Sequence, residues 1–578
     1  MKKHLERLKP YPLPGYPRKD KIRLDLNENS FGPAPGVLDV LKNATPEDIA
    51  VYPDYRRIEE EIAKYVGVKK EYVVVTNGAD DAIKCVFEGI VDHGDRVLIP
   101  NPTYSMYEIY TDLYDGKKIF VNYDKDFAFP IDEFIEKVRN VDLAVVVNPA
   151  NPTGDKILRK DFLKIMEATD GTPVILDETY WQFGGETFAS LVEKFQNLFV
   201  IHSFSKLFSM AGVRLGYVIT RNRELIEKVI EPFRVSSLAV KLGIATLQNI
   251  DYYRGLLEKI ARNREYLVVE FNNRGLEARN TFTNFILVNA GNRAKFIKTR
   301  LFDRGILIKS YEEPNLLRGF LRVSVGKFTE IEELFRNLDD ILPDRVLIFD
   351  LDGVLVDVRE SYRTAIKKTA EFFIGDEVSY EKIQEFKNRG GLNNDWDLTH
   401  EIVKSHGVDV SRDEIIKKFQ ELFLGENFDG FISREKWILK KEILEELFKR
   451  YRLAIFTSRP REEAIYTLKK YGVEKFFDMV ISLDDVKETK PSPEGILKIL
   501  KSLKIKPENA VYFGDTVDDM MAANSAGVLG VGIAPPGGEL SFYEKLFKKY
   551  GAKDALKSIN EIMDFLKKWE NQTLETQK

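Results

Sequence analysis

LDDILPDRVLIFDLDGVLVD, residues 338–357, is the stretch at which this chain divides. Its opening completes EIEELFRNLDDIL, where apolar residues recur at helical spacing. Pro343 then stops the helix, because proline lacks the N–H that a further turn needs. RVLIFD follows at once as an apolar strand running into an acidic tip, Asp350 and Asp352. A closing helix followed directly by a new strand predicts two domains with almost no linker. The expected spans are 1–343 and 344–570, with a helical insert over 357–440 in the second, and a polar tail over 571–578 expected to be disordered.

Working outward, the length agrees with this division. A chain of 578 residues exceeds the roughly 250–300 at which one hydrophobic core stops growing. Apolar residues make up 44% and charged residues 31%, which excludes a largely disordered chain. Lys and Arg number 87 against 92 Asp and Glu, a net charge of −5. That balance argues against a protein that coats nucleic acid or an anionic membrane. One cysteine, Cys85, excludes an internal disulfide and a cysteine metal cluster. A reducing, cytoplasmic location is therefore expected. The segment MKKHLERLKPYPLPGYPRKD has no apolar run of the kind a secretory signal needs, and no stretch approaches 18 uncharged apolar residues.

Both halves have an α/β rhythm. VVVTNG, RVLIP, LAVVVNP, PVILDE, LFVIHSF and RLGYVIT alternate with helical stretches, and VLIFD, LAIFTS, MVIS, AVYFGD and GVGI do the same on a smaller scale. The pattern predicts mostly parallel sheets covered by helices on both faces. Ligands in such sheets lie beyond the carboxyl ends of the strands, where the polar residues of this chain cluster.

In the first half, HSFSKLFSMAGVRLGY places Lys206 after an apolar strand, near Ser203, Ser205 and Arg214. A partly desolvated lysine can lose its proton and form a Schiff base with a carbonyl, and the serines and arginine suit a phosphate. Asp177 ends the apolar strand of VILDETYWQF, where a carboxylate needs a cationic partner such as a protonated pyridine nitrogen. Tyr180 and Asn151, the latter on the loop NPANPTG, are suited to a phenolic ring oxygen. Gly78, Ala79 and Asp80 open a helix whose N–H groups can hold a phosphate, and Tyr104 offers a face for a flat ring. Each residue alone also reads as a turn glycine, a helix cap or a core tyrosine.

Together these motifs resemble a fold-type I pyridoxal-phosphate aminotransferase, and more narrowly a histidinol-phosphate aminotransferase. The narrower resemblance rests on LDLNENSFGPAP, YPDY, NGADDAI, NPTY, SFSKLFSMAGVRLGY and FLRVSVG. It implies that Lys206 binds the cofactor covalently and shuttles the proton. It implies also that Asp177 pairs the ring nitrogen and that Tyr104, Asn151, Tyr180 and the phosphate group of residues hold the rest. By the same resemblance Arg322 holds the carboxylate or phosphate of a substrate. Tyr52 reaches the cofactor of a neighbouring subunit, which implies a homodimer. In GILIKSY, Lys309 stands where relatives often carry a second arginine. Aromatic-amino-acid aminotransferases and threonine-phosphate decarboxylase share most of these motifs and stay open as alternatives.

In the second half, Asp350 and Asp352 suit phosphoryl transfer. One carboxylate attacks phosphorus, and the other protonates the leaving oxygen and later activates water. LAIFTSRP adds Thr457 and Ser458 for phosphoryl oxygens, and ETKPSPEGI adds Lys490 for the charge that develops on the transferred group. GDTVDD adds Asp515 and Asp519, which with Asp350 and Asp352 suit Mg²⁺. This order resembles the haloacid dehalogenase superfamily. The resemblance implies a Rossmann-like hydrolase domain whose helical insert caps the site, and Asp352 favours phosphatase chemistry. Within that insert Arg389, Asn393, Asn394, Trp396 and Asp397 are candidates to face the substrate. The two resemblances together suggest a bifunctional enzyme that forms histidinol phosphate and then hydrolyses it. A phosphoglycolate-type phosphatase, or a module that binds a phosphorylated metabolite without turnover, is the alternative for the second domain.

Overall fold

The apolar runs of the first half assemble into one sheet in the computed structural model, which describes residues 3–6, 8, 10–313, 315–388, 394–535 and 537–576. Seven strands lie in the order Val73–Thr76, Gly216–Ile219, Leu198–Ser203, Val174–Asp177, Leu143–Val147, Arg96–Asn101, Lys117–Asn122. All pair in parallel except Gly216–Ile219, which runs antiparallel to both neighbours. The central strands are buried throughout their length, as parallel strands covered on both faces must be. A second sheet of five strands joins Ile22–Leu24 to Ile306–Ser310, Phe320–Ser324, Phe285–Asn289 and Glu277–Arg279.

The chain separates into two compact units, Met1–Leu338 and Asp339–Lys578. In the second unit a six-stranded parallel sheet has the order Met479–Ile481, Arg452–Phe456, Val346–Phe349, Ala510–Gly514, Leu529–Ile533, Asp554–Leu556. The sixth strand, DAL, is too short and too mixed in character to stand out from the sequence alone. Four helices, Tyr362–Ile374, Tyr380–Asn388, Asp395–Ser405 and Arg412–Leu424, form the insert. Its two crossings to the core, Val356–Asp357 and Lys436–Trp437, pair as a small antiparallel ribbon.

The tail differs from expectation. Helix Ile562–Thr576 runs through most of the stretch expected to be disordered. Its middle is anchored, because Trp569 is buried and Glu570 pairs with Arg450 at 2.8 Å, so the polar end continues a helix already held in place. Among the described residues no helix is long and apolar enough to cross a membrane.

Candidate active sites

In the first unit the carboxyl ends of the strands surround a cavity of about 490 Å³. Ala79, Asp80, Tyr104, Asn151, Asp177, Tyr180, Ser203, Ser205, Lys206, Arg214 and Arg322 all line it. Asp177 is buried at the end of its strand and accepts hydrogen bonds from Tyr107 Oη at 2.8 Å and the Thr179 N–H at 2.9 Å. Among the described residues both donors are neutral, and burial pushes the carboxyl above its ordinary range. Lys206 Nζ donates to the Leu26 carbonyl at 3.3 Å and lies 5.4 Å from the centre of the Tyr180 ring. Tyr180 Oη accepts from Asn27 Nδ2 at 2.9 Å.

The opposite wall is built for an anion. Gly78, with φ of 82°, caps helix Ala79–Ile90, and Gly216 brings a neighbouring strand hard against it. A Cβ at Gly216 would stand 2.5 Å from the Gly78 carbonyl carbon, so only glycine fits there. Arg214 Nη2 bonds Asp80 Oδ2 at 3.0 Å, and Tyr104 Oη bonds the other oxygen of Asp80 at 3.0 Å. Ser203 Oγ accepts from the Ser205 N–H at 3.0 Å. These residues fit pyridoxal phosphate. The helix N-terminus, the serines and Arg214 match a phosphate, and a protonated ring nitrogen would be the cationic partner that Asp177 lacks among its donors.

Arg322 Nη1 donates to Asn151 Oδ1 at 2.8 Å, and Nη2 donates to the Asp25 carbonyl at 2.7 Å. Lys309 also lines the cavity, and burial with the nearby Arg322 charge lowers its pKa. Tyr52 is not brought into the cavity of its own chain. It is 74% exposed and stacks on Phe233 at 4.1 Å. Tyr107 and Asn27 bond Asp177 and Tyr180 of this site although the motifs did not single them out, and both belong to motif stretches, NPTYSMY and LDLNENS.

In the second unit Asp350 follows strand Val346–Phe349, and its Oδ1 accepts from the Leu351 N–H at 2.8 Å. Lys490 Nζ, fully buried, lies 2.8 Å from both Asp350 Oδ1 and Asp519 Oδ1. Asp519 also closes a capping box with Thr516 on helix Val517–Ser525 and accepts from Tyr512 Oη at 2.8 Å. Burial would raise its pKa, but Lys490 and these donors outweigh burial and hold it low. Burial raises the carboxyl of Asp350. Asp515 is pushed up to about 7 by burial and by Asp519, against Lys387 and Arg363 of the insert.

Carboxylate oxygens of Asp350, Asp515 and Asp519 all lie within 4.8 Å of one another, a donor set of the hard oxygen type that suits Mg²⁺. Asp352, expected with them, is not in this group, because Arg459 draws its carboxylate away through Nε at 2.8 and 3.1 Å. Thr457 follows strand Arg452–Phe456. Its N–H donates to the Ile481 carbonyl at 2.9 Å, its hydroxyl accepts from the Arg459 N–H at 3.2 Å, and the residue is buried. A small cavity between core and insert is lined by Asp352, Ser458, Arg459, Tyr362, Asn394, Asp395 and Trp396. Asp397 points elsewhere and pairs with Arg412 at 2.6 Å, while Arg389 and Asn393 lie outside the described residues.

Residues 19–338 match the family model described as aminotransferase class I and II, and residues 347–533 match that of haloacid dehalogenase-like hydrolase. The histidinol-phosphate aminotransferase of Caldanaerobacter subterraneus subsp. tengcongensis is 32% identical over 338 residues, 56% of this chain and 93% of that protein. Its counterpart in Sulfurisphaera tokodaii is 32% identical over 334 residues, 56% of this chain and 91% of that protein. Among solved structures, histidinol-phosphate aminotransferase from Sinorhizobium meliloti, in complex with pyridoxal-5'-phosphate, is similar at 25% identity and a TM-score of 0.52. That likeness covers 55% of this chain and 90% of the solved one.

Proposed function

Because the chain belongs to the class I and II aminotransferase family and carries a haloacid dehalogenase-like hydrolase domain, we propose that it catalyses two successive steps on one metabolite. The first unit transfers an amino group from glutamate to imidazole-acetol phosphate and forms histidinol phosphate. The second hydrolyses that ester to histidinol and phosphate. One observation carries the pairing: a buried Asp350–Lys490–Asp519 cluster suited to phosphoryl transfer lies in the same chain as an aminotransferase unit whose relatives are named for a phosphate ester.

Pyridoxal phosphate, when bound, supplies an electron sink for the carbanion formed at the substrate. Ala79, Asp80, Ser203, Ser205 and Arg214 would hold its phosphate, and Asp177 its ring nitrogen. Lys206 Nζ moves the proton at the reacting carbon, and its place beside the Tyr180 ring keeps it inside the cavity. Arg322 is available to a substrate anion through its fork, which Asn151 steadies.

In the second unit Asp350 is the nucleophile, and Lys490 neutralises charge that develops on the phosphoryl oxygens. Asp352 gives a proton to the leaving oxygen and later takes one from water. Mg²⁺, when bound, offsets charge between the phosphoryl group and the aspartates. Asp350, Asp515 and Asp519 would hold it.

A panel of amino acceptors and phosphate esters tests the proposal on the full chain. Lys206→Ala is expected to abolish amino transfer and spare phosphate release, and Asp350→Asn to do the converse. Brisk hydrolysis of phosphoglycolate with no action on histidinol phosphate would refute the paired assignment.

A further inference from the structure

The phosphatase assignment uses Asp352 but leaves unexplained the group that grips it. Arg459 is an arginine with a side chain 1% exposed, wedged between two carboxylates. Its Nε meets both oxygens of Asp352, and Nη2 also contacts that carboxylate. Nη2 reaches Glu435 Oε1 at 2.7 Å, and Nη1 reaches Glu435 Oε2 at 3.3 Å and Thr467 Oγ1 at 3.2 Å. The face of the guanidinium lies 4.5 Å from the centre of the Tyr362 ring.

These partners come from distinct parts of the second unit. Glu435 is fully buried immediately before Lys436–Trp437, one crossing between core and insert. Asp352 precedes the other crossing, Val356–Asp357. Tyr362 opens the first helix of the insert, and its hydroxyl bonds Glu463 of the core. Arg459 therefore links the residue just before one crossing, the loop that leads to the other and the first helix of the insert, while holding a carboxylate that lines the small cavity with Ser458, Asn394 and Trp396.

Burying an arginine and the Glu435 carboxylate, beside a partly exposed Asp352, costs desolvation that apolar residues of the same volume would avoid, so packing alone does not account for the arrangement. A guanidinium offers what packing does not, a planar fork that fixes the orientation of a carboxylate. We infer that Arg459 is a positioning residue, which aims the Asp352 carboxylate into the cavity and ties that aim to the first helix of the insert and to Glu435, which precedes the return crossing. This rests on the phosphatase assignment proposed above.

The test uses the intact protein and two phosphomonoesters. An alkyl ester needs its leaving oxygen protonated, whereas a nitrophenyl ester leaves as a stable phenolate. First-turnover release of the leaving group is measured by rapid quench for wild type, Arg459→Lys and Glu435→Gln. Lysine keeps a charge beside Glu435 but loses the fork.

For Arg459→Lys, alkyl release is expected to fall at least about tenfold, part of the roughly 10²–10⁴-fold that acid catalysis supplies, while aryl release falls less than about threefold. Glu435→Gln is expected to shift the alkyl-to-aryl ratio in the same direction by a smaller factor. A ratio unchanged in both variants, including equal loss of both activities, would overturn the positioning role and leave the phosphatase assignment standing. A wild-type protein that released neither leaving group would refute the phosphatase assignment itself, and the positioning role with it.

Discussion

Replacing Lys490 with methionine should weaken the second unit in a way that depends on pH. Its ammonium sits 2.8 Å from Asp350 Oδ1 and from Asp519 Oδ1, with no exposure to solvent. Each contact is worth about 6 kcal/mol at that distance in an effective dielectric near 20. The loss does not reach the sum, because a stranded aspartate can take up a proton instead. Neutralising a carboxyl of ordinary pKa 3.8 at pH 7 costs about 4 kcal/mol. The expected destabilisation is therefore about 4 kcal/mol, within the roughly 3–5 kcal/mol seen when one partner of a buried pair is removed. The same reasoning predicts about 1.5 kcal/mol at pH 5, since less work is then needed to add the proton. Urea unfolding at both pH values checks this, followed through tryptophan emission in a Trp181→Phe background, which leaves only Trp396, Trp437 and Trp569 of the second unit. A deficit equal at pH 5 and pH 7, or below about 1 kcal/mol at pH 7, would refute the electrostatic account of the cluster.

Asp515 provides an independent pH signature. Its folded-state pKa near 7 exceeds the ordinary 3.8, so the folded state binds the extra proton. Its contribution to stability is full below pH 4 and declines as pH rises towards 7, and a melting series without Mg²⁺ should report that decline for the second unit. Added Mg²⁺ should raise the melting temperature more at pH 7 than at pH 5, and an equal rise would count against a metal at these aspartates. Gly216→Ala should weaken binding of pyridoxal phosphate on the order of tenfold, because the new Cβ forces apart the backbone of the phosphate cradle. Spectroscopic titration of the apoprotein reads that affinity. Asp177→Asn should retain cofactor binding but slow amino transfer by on the order of 10² or more, since the amide carries no charge to hold a ring proton. An unchanged rate would remove Asp177 from that role.

The residues legible in the sequence were those where local pattern and chemistry coincide. A strand end followed by a charged or hydroxyl residue marks Asp177, Lys206, Asp350 and Thr457, because strand direction alone carries such residues to one edge of a parallel sheet. The strands themselves were legible because buried parallel strands are continuous apolar runs. What stayed hidden depends on contacts distant in sequence. Arg459 lies within the quoted LAIFTSRP, but its importance comes from Asp352 and Glu435, which no local spacing connects to it. Lys387 and Arg363, on helices of the insert, bear on Asp515 only through the fold, which brings their charges near it. Tyr107 has no pattern of its own in the sequence, and only the approach of its hydroxyl to Asp177 gives it a polar task.

The order of strands in the second unit has a consequence for how the protein is made. Val346–Phe349 is central in its sheet, yet it is synthesised first, and its neighbours are encoded at 452–456 and 510–514. At translation rates of about 5–20 residues per second, this strand waits on the order of ten seconds for its first neighbour. During that interval VLIF is an apolar segment with both hydrogen-bonding edges open. The nascent chain is thus most exposed to chaperones and to misassociation after the first unit is complete and before residue 456 emerges from the ribosome.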